Sequence, residues 1–167
     1  RTDADETVGG LLDIPKGSQY WLVDRVFCAD GVPIQRTIDA VRAIVDGVEF
    51  DASGFDVDNN TLVALYEAQL KQAAMRATGR LTVVPAPPDT AKRLQLRDAD
   101  PVLLVEYSTS LGSATALSYS VTLYTTARVD VRFNAERLNS QVAAESFRNF
   151  SEKDLPASLV SSHLSSL

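Results

Sequence analysis

The chain repeats a short pattern at a constant spacing. A pattern that begins at Leu12 recurs at Leu94, and one that begins at Leu22 recurs at Leu104, so both matches have the same offset and need no gap. Each copy then reaches a glycine-containing turn and a second run of strand-forming residues. This layout predicts two copies of a β-hairpin. It favours a pseudo-symmetric antiparallel sheet whose two halves share one ligand cleft.

The composition limits the classes of function. With 167 residues, of which 45% are hydrophobic, the chain is long and apolar enough for one domain with a substantial core. Its net charge of −6 argues against nucleic-acid binding, because phosphate contacts require a surplus of Lys and Arg. Cys28 is the only cysteine, and we expect it to be a small buried residue rather than a nucleophile. We find no secretory signal and no long apolar run, which predicts a cytoplasmic protein without a membrane segment.

The pattern of apolar, turn and capping residues predicts the order of the elements. Residues 1–11 are acidic and glycine-rich, as in a linker or a cut end, residues 12–133 form the domain, and residues 134–167 form an extension that begins as a helix and ends loose. Within the domain we expect strands over 19–28 and 33–41, an irregular surface excursion over 42–58, a helix capped by Asn60 or Thr61, a strand over 76–84, a short helix capped by Asp89 or Thr90, strands over 101–111 and 115–125, and a closing strand over 128–133.

In this layout the sequence resembles a known family. The marks are the segments 24–25 (DR), 29–33 (ADGVP), 65–67 (LYE), 94–103 (LQLRDADPVL) and 118–124 (SYSVTLY), followed by Arg128. They resemble the UTRA effector domain of GntR-type transcriptional regulators of the HutC subfamily. The resemblance implies an α+β, chorismate-lyase-like fold and a small-molecule sensor that forms a homodimer. It also implies that operator DNA is bound only through an N-terminal winged helix-turn-helix domain, which this chain does not contain.

Arg25 is the residue most out of place in the first predicted strand. Strand alternation puts it on the same face as Trp21, Val23 and Phe27. Burying an unpaired guanidinium there would cost several kcal/mol, so Arg25 requires a carboxylate, backbone carbonyls or an anionic ligand. In the regulators that the sequence resembles, the matching arginine lies at the effector pocket. A solvent-reaching arginine, or an ion pair with Glu106 or Asp24, is the alternative.

The second hairpin supplies a series of hydroxyl groups. Ser118, Ser120, Thr122 and Tyr124 alternate along one face of the predicted strand, whereas the opposite face is apolar. An ordinary solvated sheet face would explain the same pattern. In the related regulators, positions matching Ser118 and Tyr124 touch the effector. Together with the resemblance, these patterns predict the following ligand-binding residues: Arg25, Phe27, Thr37, Tyr66, Tyr107, Ser118, Ser120 and Tyr124.

Departures from the family narrow the effector. Sugar-phosphate sensors of this type carry a second arginine where this chain has Phe27, and a serine where it has Ala64. Losing these two anion ligands weakens a phosphate site. Thr37 also replaces an acid that is common in the family. We therefore expect a mostly apolar effector with at most one acidic group.

Catalysis has little support in the sequence. His163 is the only histidine and lies in a serine-rich tail, so the sequence offers no Ser-His-acid or Cys-His arrangement and no His/Cys metal cluster. We expect no catalytic residues, no metal and no cofactor. Two alternatives stay open, namely a chorismate-lyase-like enzyme and a dimerisation module without a ligand.

Overall fold

The computed structural model describes residues 1–56, 62–71, 75–111 and 116–129. These residues form a six-stranded antiparallel sheet, a small two-stranded hairpin and four short helices. The elements in chain order are β1 (Thr2–Asp3), α1 (Glu6–Leu12), β2 (Gln19–Ala29), β3 (Val32–Arg42), β4 (Ile44–Val45), β5 (Val48–Glu49), a 3-10 helix (Ser53–Asp56), α2 (Leu62–Leu70), β6 (Met75–Pro85), α3 (Pro88–Arg93), β7 (Pro101–Leu111) and β8 (Ala116–Thr125).

The sheet consists of two halves that repeat one another. Its strand order is β1-β2-β3-β8-β7-β6, so the first half of the chain forms one side and the second half forms the other. Strands β2 and β7 have the same length, and the interval between their first residues equals the interval between the first residues of α1 and α3. The predicted duplication and the predicted α+β class, an antiparallel sheet built from two hairpins with flanking helices, are confirmed.

The register of the strands places an approximate two-fold axis at the centre of the sheet, where Ile38 of β3 lies opposite Val121 of β8. The equivalent cross-strand pairs of the two hairpins are Arg25 with Thr37 and Tyr107 with Ser120. The first strands of the two hairpins thus keep the offset of the sequence repeat, and the second strands differ from it by a single position. Arg25 and Tyr107 therefore occupy equivalent positions on the two sides of the axis, as the repeat predicts.

Helices α1 and α3 cover one face of the sheet. Helix α1 packs on Tyr20 and Ala40, and α3 packs on Val102. The Asp5 carboxylate accepts a hydrogen bond of 2.8 Å from the backbone N–H of Val8 and so caps α1. Residues 1–11, for which the sequence predicts a linker or a cut end, thus contain β1 and most of α1.

The other face carries α2 and the segment between β3 and α2. Phe50 and Tyr66 are fully buried there, with ring centroids 4.6 Å apart, and they pack against Val41. The Trp21 indole donates a hydrogen bond of 2.8 Å to the Phe50 carbonyl. The prediction of a surface excursion over 42–58 holds for residues 46–49, which are exposed, but it is wrong for Phe50 and Phe55, which bury their rings on the sheet.

Two local predictions are corrected by side-chain contacts. The N-cap of α3 is Pro87, not Asp89 or Thr90, because α3 begins at Pro88 and both residues lie within its first turn, where their side chains bind Arg36. Cys28 is exposed, not buried, because it lies at the end of β2, where residues 26–29 are all exposed.

Some predictions concern residues that the structure does not describe. These are the caps Asn60 and Thr61, most of the closing strand over 128–133 and the whole extension over 134–167. Arg128 itself lies in a turn and donates a hydrogen bond of 3.0 Å to the Pro33 carbonyl. The strand after α2 is confirmed and begins at Met75.

Candidate functional site

The candidate site lies at the centre of the sheet, on the face opposite α1 and α3, which we call the site face. Two adjacent cross-strand rows form it, one on each side of the two-fold axis. The rows are Arg25, Thr37, Thr122 and Val105, and Val23, Asp39, Ser120 and Tyr107. The structure therefore brings Arg25 and the central hydroxyls together, as the sequence predicts.

Arg25 is held by an acid and by two aromatic rings. Its Nη2 atom donates to Asp39 Oδ2 at 3.1 Å. Its guanidinium carbon lies 3.6 Å from the centroid of the Phe55 ring and 4.9 Å from that of Phe27. These contacts fix the guanidinium by charge and by cation–π attraction. The Arg25 side chain retains 20% of its exposure, so it is accessible from the site face.

The partner of Arg25 is neither of the two acids that the sequence suggested. Asp24 and Glu106 point to the opposite face, where Asp24 binds Arg36 at 2.7 Å and Glu106 binds Arg80 at 2.6 Å. Strand alternation separates both acids from Arg25, since it assigns odd and even positions to different faces.

Asp39 is a site residue that the sequence reasoning missed. Its side chain is 2% exposed and lies beside Ser120 in the next strand. Burial raises the pKa of the Asp39 carboxyl, and hydrogen bonding from Ser120 and the charge of Arg25 offset this effect only in part. The sequence did contain a signal for Asp39. It lies on the same strand face as Thr37, which stands where related regulators commonly have an acid.

The hydroxyl series is buried, so it is not the solvated sheet face that was the alternative explanation. Ser118, Ser120 and Thr122 are at most 3% exposed. Thr122 lies 3.3 Å from the Thr37 hydroxyl across the β3–β8 pair. Burying hydroxyl groups costs free energy unless each finds a hydrogen-bond partner.

Three buried polar atoms on this face lack a hydrogen-bond partner of standard geometry among the described residues. They are Arg25 Nε, Ser118 Oγ and Ser120 Oγ. The two serine hydroxyls still lie close to Tyr66 and Asp39: burial raises the pKa of both groups, and hydrogen bonding with Ser118 and Ser120 offsets this rise only in part. A free donor and adaptable hydroxyls on one face are groups that a polar ligand can satisfy.

The other predicted residues surround this centre at different distances. Tyr66 is fully buried, and its hydroxyl donates to the Leu117 carbonyl at 3.1 Å. It therefore belongs to the core that packs on the site face. Tyr107 is three strand spacings from Arg25, about 14 Å across the sheet. Tyr124 lies one row further out, opposite Gln35, and Phe27 is 39% exposed at the rim.

Gly79 fixes the position of Tyr107. These two residues lie opposite each other in β6 and β7. A Cβ atom at Gly79 would lie 2.1 Å from the Glu106 carbonyl oxygen and 2.6 Å from Tyr107 Cβ. Only glycine permits this close approach of the two strands.

The central part of the site face has no net charge. Among the positions that β2, β3, β6, β7 and β8 present on this face, Arg25 and Asp39 are the only charged residues, and they pair with each other. No group of three or more His, Cys, Asp or Glu suited to a metal ion occurs in the described part of the chain. Within the same residues, no helix is long and apolar enough to cross a membrane.

Comparisons with known proteins give a family and several similar structures. The model of the UTRA domain family matches residues 1–130. No curated protein sequence matches the chain.

Three solved structures have a similar fold at low sequence identity. The C-terminal domain of Yurk from Bacillus subtilis subsp. subtilis str. 168 has a TM-score of 0.67 and 20% identity, over 79% of this chain and 88% of that one. A ligand-binding domain assigned to a GntR-family transcriptional regulator from Bordetella bronchiseptica has a TM-score of 0.69 and 18% identity, over 81% and 83%. The effector domain of PhnF from Mycobacterium smegmatis has a TM-score of 0.63 and 19% identity, over 76% of each chain.

Proposed function

This chain belongs to the UTRA domain family, and we propose that it is the effector-sensing domain of a GntR-type transcriptional regulator that binds a small molecule on the site face. The similar structures named above include a ligand-binding domain and an effector domain of such regulators, which supports the proposal. The predicted fold, an α+β sheet of the chorismate-lyase-like kind, agrees with these structures.

The main reason to place the ligand on the site face is its set of buried polar atoms without a partner. Arg25 Nε, Ser118 Oγ and Ser120 Oγ are buried on this face in three successive cross-strand rows, and they lack a hydrogen-bond partner of standard geometry among the described residues. Buried polar groups in folded proteins are almost always satisfied, so three unsatisfied atoms on one face support a site that a ligand completes. Among the other predicted contacts, Phe27 and Tyr107 would hold the apolar part of that ligand.

We further propose that the domain belongs to the HutC subfamily and that the protein is cytoplasmic. We also expect operator DNA to be bound through an N-terminal domain outside this chain. We also propose a homodimer, because dimer symmetry suits two-fold operators. In support, β6 forms an edge of the sheet and exposes Leu81 by 58% and Val83 by 62%.

We propose that the domain is not an enzyme. A chorismate-lyase-like enzyme would need several cationic groups around a dicarboxylate substrate. On the site face, the strands offer Arg25 alone, and Asp39 already neutralises it. A dimerisation module without a ligand is the remaining alternative, and only a binding experiment separates it from a sensor.

The test is a thermal-shift screen of small aromatic and aliphatic metabolites against the wild-type chain, with product analysis of every hit. A sensor is stabilised by its effector without converting it, an enzyme converts it, and a dimerisation module does neither. For a confirmed hit with an acidic group, Arg25→Ala is expected to weaken binding by about 1.5–3 kcal/mol, the scale for a hydrogen bond to a charged group.

Ser120→Ala and Ser108→Ala form a matched pair of variants for the same assay. Both remove one hydroxyl from the sheet, but Ser108 lies on the opposite face. Ser120→Ala is expected to weaken the hit more than Ser108→Ala does, because only Ser120 lies on the site face, beside Asp39. Equal effects of the two variants on binding would show that the ligand does not occupy the site face.

A further inference from the structure

We propose that the effector is dipolar with no net charge, and that it places a hydrogen-bond donor on Asp39 next to an acceptor on Arg25. The donor would be an ammonium or an amide N–H, and the acceptor a carboxylate or a carbonyl. This inference rests on the proposed function of the site face and specifies the ligand class. It makes Asp39 the residue that determines specificity.

The balance of charge is the first argument. Among the central strands β2, β3, β8 and β7, Arg25 is the one cation on this face and Asp39 is the one anion. Their atoms Nη2 and Oδ2 are 3.1 Å apart. A ligand with a carboxylate alone would meet the Asp39 charge at nearly the same distance as the Arg25 charge, so attraction and repulsion would largely cancel. A ligand that carries both a donor and an acceptor matches both residues.

The unused hydrogen-bonding capacity points the same way. The Phe55 ring covers one face of the Arg25 guanidinium, so polar groups can reach the guanidinium only along its edge. On that edge, Nη2 donates to Asp39, and Nε lacks a partner among the described residues. A carboxylate such as Asp39 accepts several hydrogen bonds, more than Arg25 and Ser120 supply. Arg25 thus has a free donor and Asp39 has acceptor capacity, side by side in a buried setting.

The surroundings define the rest of the ligand. Beyond the charged pair, the two central rows continue with Val23, Val105 and Tyr107. Phe55 covers the pair from the segment between β3 and α2. A ligand with a dipolar group joined to an apolar or aromatic group fits these surroundings.

The test compares phenylalanine with two probes that each lack one of its charged groups. 3-Phenylpropionate lacks the amine, and 2-phenylethylamine lacks the carboxylate. Amide chemical shifts of the full chain are followed by NMR during each titration. We expect phenylalanine to shift the Asp39 and Ser120 amides with an affinity about tenfold higher than either singly charged probe, the factor for one charge-assisted hydrogen bond.

Two variants accompany the titrations. Asp39→Asn is expected to reduce the preference for phenylalanine over 3-phenylpropionate to about twofold or less, because the carboxylate that accepts the ammonium is gone. Ser108→Ala, on the opposite face, is expected to keep the wild-type preference. If Asp39→Asn does not fold, the ranking of the three probes on the wild-type chain decides the question alone.

The outcomes separate this inference from the proposed function. If 3-phenylpropionate shifts the same amides as strongly as phenylalanine does, the dipolar class is wrong while the site face stands. If none of the probes shifts an amide of the site face, the dipolar class and the location of the site are both overturned.

Discussion

The Arg25–Asp39 pair gives the sharpest prediction about stability. Arg25→Ala removes the guanidinium that lies 3.1 Å from a carboxylate with 2% exposure. Truncating one partner of a buried pair costs about 3–5 kcal/mol, because the other charge stays buried alone. Partial exposure of Arg25 reduces this cost, whereas the lost contact with Phe55 adds to it. We expect the free energy of unfolding to fall by about 2–4 kcal/mol at neutral pH.

The pH dependence identifies the cause of that loss. The pKa of Asp39 is already raised above its ordinary value of 3.8 by burial, and Arg25 holds it down in part. Without Arg25 the pKa rises further in the folded state, so the folded chain binds more protons than the unfolded chain. Stability is therefore lost as pH rises from 3.8 through the raised pKa, and the deficit of Arg25→Ala grows over that interval.

Urea denaturation of the wild type, Arg25→Ala and the double variant Arg25→Ala/Asp39→Asn, from about pH 4 to about pH 8, measures these effects. The double variant is expected to recover about 1–2 kcal/mol at neutral pH and to lose the extra pH dependence, because it buries no charge. A deficit of Arg25→Ala that stays constant with pH, or that Asp39→Asn does not relieve, would refute the pairing as the source of the stability.

Two further predictions concern the sheet itself. Gly79→Ala is expected to lower the free energy of unfolding by about 1–3 kcal/mol, because its Cβ would lie 2.1 Å from the Glu106 carbonyl oxygen; urea denaturation measures this, and an unchanged midpoint would contradict the close packing of β6 on β7. The chain is expected to be a homodimer at micromolar concentration, and sedimentation that shows only monomer would count against this.

The sequence alone determined the architecture of this protein. The constant offset between the two hairpins survives in the structure because a repeated pattern of apolar residues folds into a repeated set of strands. The apolar side of the second hairpin was also assigned correctly, since Val121 and Leu123 bury on the helical face. Strand alternation is a local property, so a single strand is enough to predict which side chains share a face.

Partners across the sheet could not be predicted in the same way. Arg25 was expected to meet Glu106, Asp24 or a ligand, but it meets Asp39, which lies one row away on the neighbouring strand. That pairing depends on the register of β2 against β3 and on Phe55, which reaches the guanidinium from a segment expected to be irregular surface.

Strand alternation in the sequence thus determined which side chains of a strand share a face, and the tertiary structure decided which of them neutralise one another. The physical reason is the range of the interactions. Hydrophobic alternation is encoded along each strand, whereas charge pairing and burial depend on residues that only the folded sheet brings within about 4 Å. The identity of the polar groups left without a partner, Arg25 Nε among them, depends on the same long-range packing.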